Sequence, residues 1–246
     1  MEGNTDKINR LKEMIGQSRY LVCLMGVRVS SQCGCTNYRD EEDSYDIEAK
    51  YGYSPDELFN TTFFSVRPGQ FYEFYRNDMI NELGEIGDGM KNLQRLEENG
   101  KLKCIITRDI FSLAKRAGCR NVYELHGSVF NNYCQHCGKY YPLEYIRESK
   151  GVPKCEACGA MIRPGVSMVG EMVDNSVISR AADEVQKADT LLALGCNLKS
   201  SLADTFLRYF QGNKLILVND QEHYADSKAD FVIHAKPMDI MSELVL

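Results

Sequence analysis

Short apolar runs alternate with segments of helical periodicity along most of the chain. An apolar stripe at Ile8, Leu11, Met14 and Ile15 predicts a helix, and the apolar run at 20–25 that follows predicts a buried strand ending before Gly26. Further apolar runs occupy 102–106, 122–125, 166–169, 190–194, 215–218 and 231–233, and helical spacing occupies 71–83, 177–188 and 202–210. Strands buried on both faces read as continuous apolar runs, so this alternation predicts an α/β fold with a doubly wound parallel sheet.

Two stretches interrupt the alternation. Residues 133–161 carry four cysteines, and residues 39–93 are helical in pattern and rich in Phe and Tyr. We expect the aromatic stretch to form a cap over the carboxyl ends of the strands, with its rings packed in a core. The predicted division is a discontinuous nucleotide-binding sheet domain at 1–38, 101–132 and 162–246, a helical cap or cofactor loop at 39–100, and a metal-binding insert at 133–161.

Composition excludes several classes of function. The 246 residues include 29 Lys and Arg and 35 Asp and Glu, a net charge of −6, so no electrostatic footprint for nucleic acid is present. The longest apolar run, 21–27, is far shorter than the roughly 20 residues of a membrane span. The opening segment is polar and lacks an apolar signal core, so we expect a cytoplasmic protein with neither nucleic acid nor membrane as partner.

The ten cysteines fall into two groups. Six are scattered, and those at Cys23, Cys104 and Cys196 are expected to be small core residues of reduced strands. The other four form two C-x-x-C pairs, each followed by glycine: Cys134, Cys137, Cys155 and Cys158. This spacing is typical of a zinc ribbon, in which two tight turns supply a closed tetrahedral shell of four thiolates. A redox dithiol or chance is the alternative, and His136 is expected at the surface.

Two strand ends have the chemistry of a nucleotide site. In a doubly wound sheet the first strand-to-helix turn commonly holds a phosphate, and here that turn includes Gly26, Val27, Arg28 and Ser30. A dinucleotide turn favours a small residue where Arg28 stands, so the turn is a weak signal by itself. Asn219 ends a predicted strand and could bind a ribose hydroxyl, although Asn-Asp is also an ordinary turn.

These motifs together resemble the sirtuins, the zinc-containing NAD-dependent protein deacylases. The sequence Leu-His-Gly-Ser at 125–128, the C-x-x-C pairs, and Arg163-Pro164 followed by Gly170-Glu171 occur in the family's order. Segments at 26–39, 68–76, 107–110 and 195–198 match the family's cofactor turn, its capping helix and two further strand ends. The resemblance spans most of the chain.

The resemblance implies a large Rossmann-like domain, a small zinc and helical domain, and an acyl-lysine tunnel that meets NAD in the cleft between them. His126 would be the general base on a ribose hydroxyl, a role suited to an imidazole of ordinary pKa about 6.5. The implied cofactor-binding residues are Gly26, Val27, Arg28, Ser30, Arg39, Arg108, Asp109, Gly195, Cys196, Asn197 and Asn219. The implied substrate residues are Val166, Val169, Gly170 and Glu171, beside a peptide bound as an added strand.

Several residues depart from the family pattern. Arg28 replaces a small residue, and its guanidinium would either fill the pyrophosphate space or bind the phosphates. Arg108 and Asp109 replace a Gln-Asn pair and could form a salt bridge with each other. Phe111 replaces the aspartate that contacts the nicotinamide carboxamide, and Val169 replaces a phenylalanine of the acyl tunnel.

Three functions follow from this combination. The first is an NAD-dependent protein lysine deacylase acting on an acylated protein or peptide, with structural Zn²⁺ and rebuilt cofactor contacts. The second is a protein that binds ADP-ribose or a similar nucleotide without catalysis. The third is an ADP-ribosyltransferase or NAD hydrolase.

Overall fold

The computed structural model describes residues 4–244, and residues 1–3 and 245–246 of the predicted sheet domain lie outside that range. A six-stranded parallel sheet has the order β3-β2-β1-β7-β8-β9, and a three-stranded antiparallel sheet has the order β5-β4-β6. The strands are β1 Leu21–Met25, β2 Leu102–Thr107, β3 Val122–Glu124, β4 Asn132–Cys134, β5 Tyr140–Tyr141, β6 Ile162–Arg163, β7 Thr190–Leu194, β8 Lys214–Asn219 and β9 Phe231–His234.

Helices follow most of the strands of the larger sheet. They are α1 Asn4–Gln17, α2 Val27–Gln32, α3 Glu41–Tyr51, α4 Pro55–Leu58, α5 Thr61–Val66, α6 Pro68–Phe74, α7 Asp88–Glu98, α8 Leu113–Arg116, α9 Leu143–Glu148, α10 Asn175–Lys187, α11 Ser201–Leu207 and α12 Pro237–Ser242. A π-helical turn at Tyr75–Met79 continues α6, and a 3₁₀ turn occupies Tyr224–Lys228. No helix within residues 4–244 has both the length and the apolar character needed to cross a bilayer.

Residue contacts group the chain into two units. The first comprises the described residues of Met1–Cys33, Glu85–Leu125 and Asp174–Leu246, and it contains the six-stranded sheet. The second comprises Gly34–Gly84 and His126–Val173. Residues 85–100 thus group with the sheet and residues 162–173 with the second unit. The division predicted from the sequence has three parts: the sheet domain at 1–38, 101–132 and 162–246, the segment at 39–100 and the insert at 133–161. This division stays a prediction, as does the cap over the strand ends.

The parallel sheet forms because its central strands are apolar on both faces. Every residue of β1 and β7 is buried, and β1 pairs in parallel with both β2 and β7. The Asp189 carboxylate holds the beginning of β1 beside β7, since it accepts hydrogen bonds from the Ser18 hydroxyl at 2.6 Å and the Arg19 amide at 2.8 Å. Burial of these strands removes apolar surface from water on both sides of the sheet.

Most of the predicted elements are confirmed. Six of the predicted apolar runs are strands of the parallel sheet: 20–25, 102–106, 122–125, 190–194, 215–218 and 231–233. The helical stretches predicted at 177–188 and 202–210 correspond to α10 and α11, which end at Lys187 and Leu207. The helical stretch predicted to run from residue 71 to residue 83 ends at Met79. Cys23, Cys104 and Cys196 are buried, as expected.

One predicted strand is wrong. The run at 166–169 is extended chain outside both sheets, where Val166 makes one bridge with Gly127 and Val169 makes one with Asn60. Pro164, which has no amide hydrogen, stands two residues before Val166, and Gly170 follows at φ +92°. The apolar pattern therefore marks burial here, because Val166 is only 3% exposed, without a ladder of strand pairing.

The second unit has an aromatic core. Phe59, Phe71 and Tyr75 stack on one another with near-parallel rings, with centroids 5.6 to 6.3 Å apart. Phe71, Phe74 and Tyr75 are fully buried, so the aromatic stretch is core, as predicted. Local caps set the helix starts: the Ser54 side chain accepts from the Glu57 amide before α4, and the Asn60 side chain accepts from the Thr62 amide before α5.

Candidate functional site

The four cysteines of the C-x-x-C pairs meet in the second unit. All four sulfurs lie within 4.8 Å of one another, the one such group of three or more metal-ligating side chains in the described part of the chain. Gly138 at φ +72° and Gly159 at φ +73° close the two turns, since each amide donates back to the carbonyl of the first cysteine of its pair. His136 is exposed, as expected. The four sulfurs are positioned for a zinc site.

Hydrogen bonds to the sulfurs favour the thiolate at two of the four cysteines, Cys134 and Cys155. The amides of His136 and Cys137 each approach the Cys134 sulfur at 3.4 Å, and the amide of Cys137 is the main cause of the lowered pKa of Cys134. The Tyr141 hydroxyl donates to the Cys155 sulfur at 3.1 Å and lowers the pKa of that thiol to about 6. At Cys137 and Cys158 the amides of Lys139 and Ala160 act to lower the pKa, but the neighbouring cysteine sulfurs raise it overall. Zn²⁺ binds deprotonated cysteine, so these two thiols would release their protons when the metal binds. The sequence motif does not reveal Tyr141, which stands four residues after Cys137.

The first unit brings the glycine turn against the end of β7. The Gly26 amide donates to Leu194, and the Arg28 amide donates to the Gly195 carbonyl at 3.1 Å. A Cβ at Gly26 would lie 2.3 Å from the Gly195 oxygen and 2.4 Å from the Cys196 Cβ. The two strand ends therefore meet backbone to backbone, and only glycine fits at position 26. Gly195 itself has φ +65°.

Cys196 and the remaining residues of the turn differ in exposure. Burial raises the pKa of the Cys196 thiol to about 12, so this side chain is neutral at physiological pH. Ser30 is buried on α2, whereas Val27 is 61% exposed. The Asn197 side chain accepts from the Lys199 amide at 2.7 Å and shapes the turn that leads into α11. These predicted cofactor residues are thus close along one edge of the parallel sheet.

Asn219 ends β8 with an unused acceptor. Its amide nitrogen donates to the Gln221 carbonyl at 3.0 Å, and its Oδ1 is buried without a hydrogen-bond partner. A buried polar atom without a partner is costly, and a ribose hydroxyl is a donor that would satisfy it. The orphaned oxygen fits the ribose portion of a nucleotide such as NAD, at the sheet edge where the Gly26 turn packs against the end of β7.

Arg28 forms an ion pair beside this turn. Its Nε lies 3.8 Å from Oδ1 of Asp220, the residue after Asn219, and both side chains remain about one-third exposed at 38% and 33%. The sequence singles out Arg28 but does not predict its partner. The Asn-Asp pair at 219–220 was the available signal, and only the strand order shows that it faces the glycine turn.

The segment after β2 is held by hydrogen bonds to Asp109. Its carboxylate accepts from the amides of Phe111 and Leu113, each at 2.9 Å, and the expected salt bridge with Arg108 stays a prediction. Arg108 donates to the Ser201 hydroxyl. Burial raises the pKa of the Asp109 carboxyl despite these amide donors. Asp109 thus organises the start of α8, and Phe111 is buried.

His126 and the predicted substrate residues belong to the second unit. His126 is half-buried, and its carbonyl accepts from the Ser167 amide at 2.9 Å. Gly127 has φ +73°, and a Cβ there would lie 2.1 Å from the Gly165 oxygen, so glycine is required beside the histidine. The extended chain at 163–171 is thereby held against the His126 backbone.

Glu171 anchors this extended chain. Its carboxylate accepts two hydrogen bonds from the Arg163 guanidinium, at 2.5 and 2.6 Å, and a third from the Met168 amide at 2.8 Å. Both bonds from Arg163 come from one nitrogen, Nη2, while its Nε is buried without a hydrogen-bond partner in the described part of the chain. Because donor and acceptor are both charged, these bonds are stronger than hydrogen bonds between neutral groups. Gly170 lies exposed between Val169 and Glu171. Arg39, also in this unit, pairs with Asp56 at 2.8 Å and lies over the Tyr38 ring.

Comparison with known proteins places the chain in a family. It matches the Sir2 family over residues 26–201. It is 39% identical to the NAD-dependent protein deacetylase of Clostridium acetobutylicum over 229 residues, 93% of this chain and 94% of that relative. The chain belongs to the Sir2 family, and the predicted resemblance to sirtuins is confirmed.

Solved structures give the same result. A structure described by the words "The Structural basis of Sirtuin Substrate Affinity" superposes with a TM-score of 0.83 and 28% identity, covering 98% of this chain and 97% of that one. A structure of Sir2 with a p53 peptide and NAD⁺ superposes with a TM-score of 0.79 and 28% identity, covering 96% and 95%. The fold class predicted from the sequence, a Rossmann-like sheet with a zinc-ribbon insert, is therefore confirmed.

Proposed function

We propose that this chain is an NAD-dependent protein lysine deacylase, which transfers the acyl group of an acylated protein or peptide to ADP-ribose and releases nicotinamide. The observation that carries the proposal is the buried, unpartnered Oδ1 of Asn219, at the edge of the parallel sheet that also holds the Gly26 turn. The 39% identical clostridial relative named as an NAD-dependent protein deacetylase supports the same activity.

Residues at the strand ends are proposed to bind the nucleotide. Gly26, Val27, Arg28, Ser30, Gly195, Cys196, Asn197 and Asn219 would hold the nucleotide, with Asn219 accepting from a ribose hydroxyl. Arg39, Arg108 and Asp109 complete the proposed cofactor set, although Asp109 acts through the backbone that it caps. When bound, NAD supplies the ribosyl carbon that accepts the acyl group's oxygen as nicotinamide leaves.

His126 is the proposed general base. It would take a proton from a ribose hydroxyl at an imidazole nitrogen, a transfer for which histidine is suited near neutral pH. Gly127 keeps the backbone beside it in a conformation that other residues rarely adopt. Val166, Val169 and Gly170 are the proposed peptide-contacting residues, and Glu171 holds their segment in place through Arg163.

The zinc site is proposed to be structural. Four cysteines leave no open coordination position, so the metal would hold the insert at 133–161 together without taking part in the reaction. We further propose a cytoplasmic location, because none of the ten cysteines, all within residues 4–244, forms a disulfide, and a reducing compartment keeps cysteines in that state.

The test is a product assay with a matched pair of variants. Purified protein is incubated with NAD and a panel of acyl-lysine peptides, and nicotinamide and deacylated peptide are measured by mass spectrometry. We expect equal amounts of both products, a loss of about 100-fold or more for His126→Ala, and no change for His136→Ala, which removes an exposed histidine. Absence of turnover with every peptide, or full activity of His126→Ala, would refute the proposal.

A second function is favoured by one specific observation. Both oxygens of Asp109 are engaged by backbone amides and Phe111 is buried, so the nicotinamide contacts of the family are replaced by internal packing. A protein of this kind could bind ADP-ribose without consuming NAD. Calorimetry distinguishes the two functions, because ADP-ribose binding with no nicotinamide release supports the binding protein alone.

A further inference from the structure

We propose that Asp220 competes with nucleotide phosphate for Arg28, so that this pair of residues sets the affinity and charge selectivity of the nucleotide site. The inference rests on the proposed function only in requiring that the Gly26 turn binds a nucleotide. It assigns to Arg28 a specific part, that of a phosphate ligand held by an exchangeable partner.

Arg28 is placed to reach across the end of one strand. It is the second residue of α2, and its amide is bonded to the Gly195 carbonyl at 3.1 Å, at the end of β7. From there the guanidinium extends to Asp220, directly after β8, the neighbour of β7 in the sheet. The Arg28 side chain therefore lies along the ends of β7 and β8, beside the Gly26 turn.

The ion pair is a weak one. The 3.8 Å between Nε and Oδ1 is longer than a hydrogen bond, and the two side chains are 38% and 33% exposed. Exposed pairs of this kind contribute little to stability, because water competes for both charges. Among residues 4–244, the structure shows no hydrogen bond from the Arg28 guanidinium, which leaves its N–H groups available to an anion.

A second observation at the same place indicates the kind of ligand. Asn219, directly before Asp220, is 3% exposed and has its Oδ1 buried without a partner. A buried acceptor without a donor is unfavourable, and a hydroxyl or amine of a ligand would donate the missing hydrogen bond. A sugar hydroxyl next to a guanidinium that can bind phosphate is the combination that a nucleoside diphosphate satisfies.

Asp220 then acts in two ways against phosphate. It occupies the guanidinium, and its negative charge repels an approaching diphosphate. A diphosphate can form a forked pair with Arg28 that is shorter than the 3.8 Å pair with Asp220, so exchange favours the ligand. An uncharged nucleoside cannot exchange, so the pair discriminates by phosphate content.

The test measures binding by calorimetry, with ADP-ribose and adenosine as the probes. We expect Asp220→Asn to tighten ADP-ribose binding by about two- to fivefold, the range that a weak exposed pair allows, and to leave adenosine binding unchanged. Arg28→Gln should weaken ADP-ribose binding by about tenfold or more. In the Arg28→Gln background, Asp220→Asn should tighten ADP-ribose binding less than it does in the unmodified chain, since only the repulsion by its charge is left to remove.

Glu222→Gln is the matched control. It removes the same charge two residues along the chain, from a side chain that is 82% exposed and faces His234. We expect ADP-ribose binding to this variant within twofold of the unmodified chain. An equal gain from Glu222→Gln would overturn the proposal, because it would show a general charge effect. Tighter ADP-ribose binding by Arg28→Gln would also overturn it, because the arginine would then obstruct the site.

The outcomes separate this inference from the proposed function. If the unmodified chain binds ADP-ribose and Asp220→Asn leaves the affinity unchanged or weaker, the inference fails and the deacylase proposal is untouched. If the predicted pattern of affinities is found while no acyl peptide is turned over, the deacylase proposal fails and the inference holds. If the unmodified chain binds no ADP-ribose, both fail. Thermal melts of each variant establish that it is folded.

Discussion

Gly26→Ala tests the most crowded point of the proposed nucleotide site. The new methyl group would lie 2.3 Å from the Gly195 oxygen, 2.4 Å from the Cys196 Cβ and 2.8 Å from the Cys196 Cα. These atoms belong to the backbone, or are fixed to it, at the end of a fully buried strand. Neither end can yield by a side-chain rotation, so the two strand ends must move apart by roughly 1 Å.

The expected loss of stability follows from that overlap. Overpacking of a well-packed site costs about 1–3 kcal/mol, and Gly26→Ala should lose at least the middle of that range. Gly16→Ala is the control, since Gly16 lies in α1 of the same unit and has no atom within 4 Å of its added Cβ. Alanine is favoured over glycine in a helix, so this control should gain about 0.5–1 kcal/mol.

Urea unfolding followed by circular dichroism measures both changes, and calorimetry with ADP-ribose measures the effect on the site. We expect opposite signs for the two variants in stability, and a loss of ADP-ribose affinity of about tenfold or more for Gly26→Ala only. If Gly26→Ala is as stable as the unmodified chain, the close approach of the β1 and β7 ends is refuted.

Three further predictions concern other parts of the chain. Tyr141→Phe removes the hydroxyl that donates to Cys155, and zinc transfer to a chelator should become about tenfold faster, whereas Tyr140→Phe, on a 75% exposed ring, should leave the rate unchanged. Asp189→Asn should cost about 1–3 kcal/mol at pH 7 in urea unfolding. Glu171→Gln should raise the KM for an acyl peptide with little change in kcat, because it loosens the segment without touching the proposed base.

The pH dependence of Asp189 has a definite sign. Burial alone would raise the pKa of Asp189, but hydrogen bonds from Ser18, Thr190 and two backbone amides lower it overall. A carboxyl whose pKa is lower in the folded chain stabilises the fold above the unfolded-state pKa of about 3.9, and loses that contribution as the pH falls through its folded value. The gap between the unmodified chain and Asp189→Asn should therefore narrow below about pH 4. A gap that widens in acid would contradict this account.

The predictions for Tyr141→Phe and Glu171→Gln can each be contradicted by one measurement. Equal rates of zinc transfer from Tyr141→Phe and the unmodified chain would show that the hydroxyl at 3.1 Å does not stabilise the metal-binding thiolate. An unchanged KM for Glu171→Gln would show that the ion pair with Arg163 does not position the extended chain at 163–171 for peptide binding. A fall in kcat alone would place Glu171 in the reaction itself.

The sequence alone determined the parts of this protein that depend on local pattern. Continuous apolar runs predicted six strands of the parallel sheet, because burial on both faces leaves no room for polar alternation. The two C-x-x-C pairs predicted the metal cluster, because each pair builds its own turn from neighbouring residues. The motif around His126 identified the family for a similar reason, since its residues are consecutive.

Only the tertiary structure decided which distant side chains meet. The run at 166–169 looked like a sheet strand because apolarity records burial and not pairing partners. Arg108 and Asp109 are adjacent in the chain, yet the Asp109 carboxylate binds the amides of Phe111 and Leu113 while Arg108 donates to Ser201, 93 positions away. Arg28 and Asp220 are 192 positions apart, and they meet because parallel strands bring their carboxyl ends to one edge of the sheet. Strand order is a property of the whole chain, and no local pattern of residues contains it.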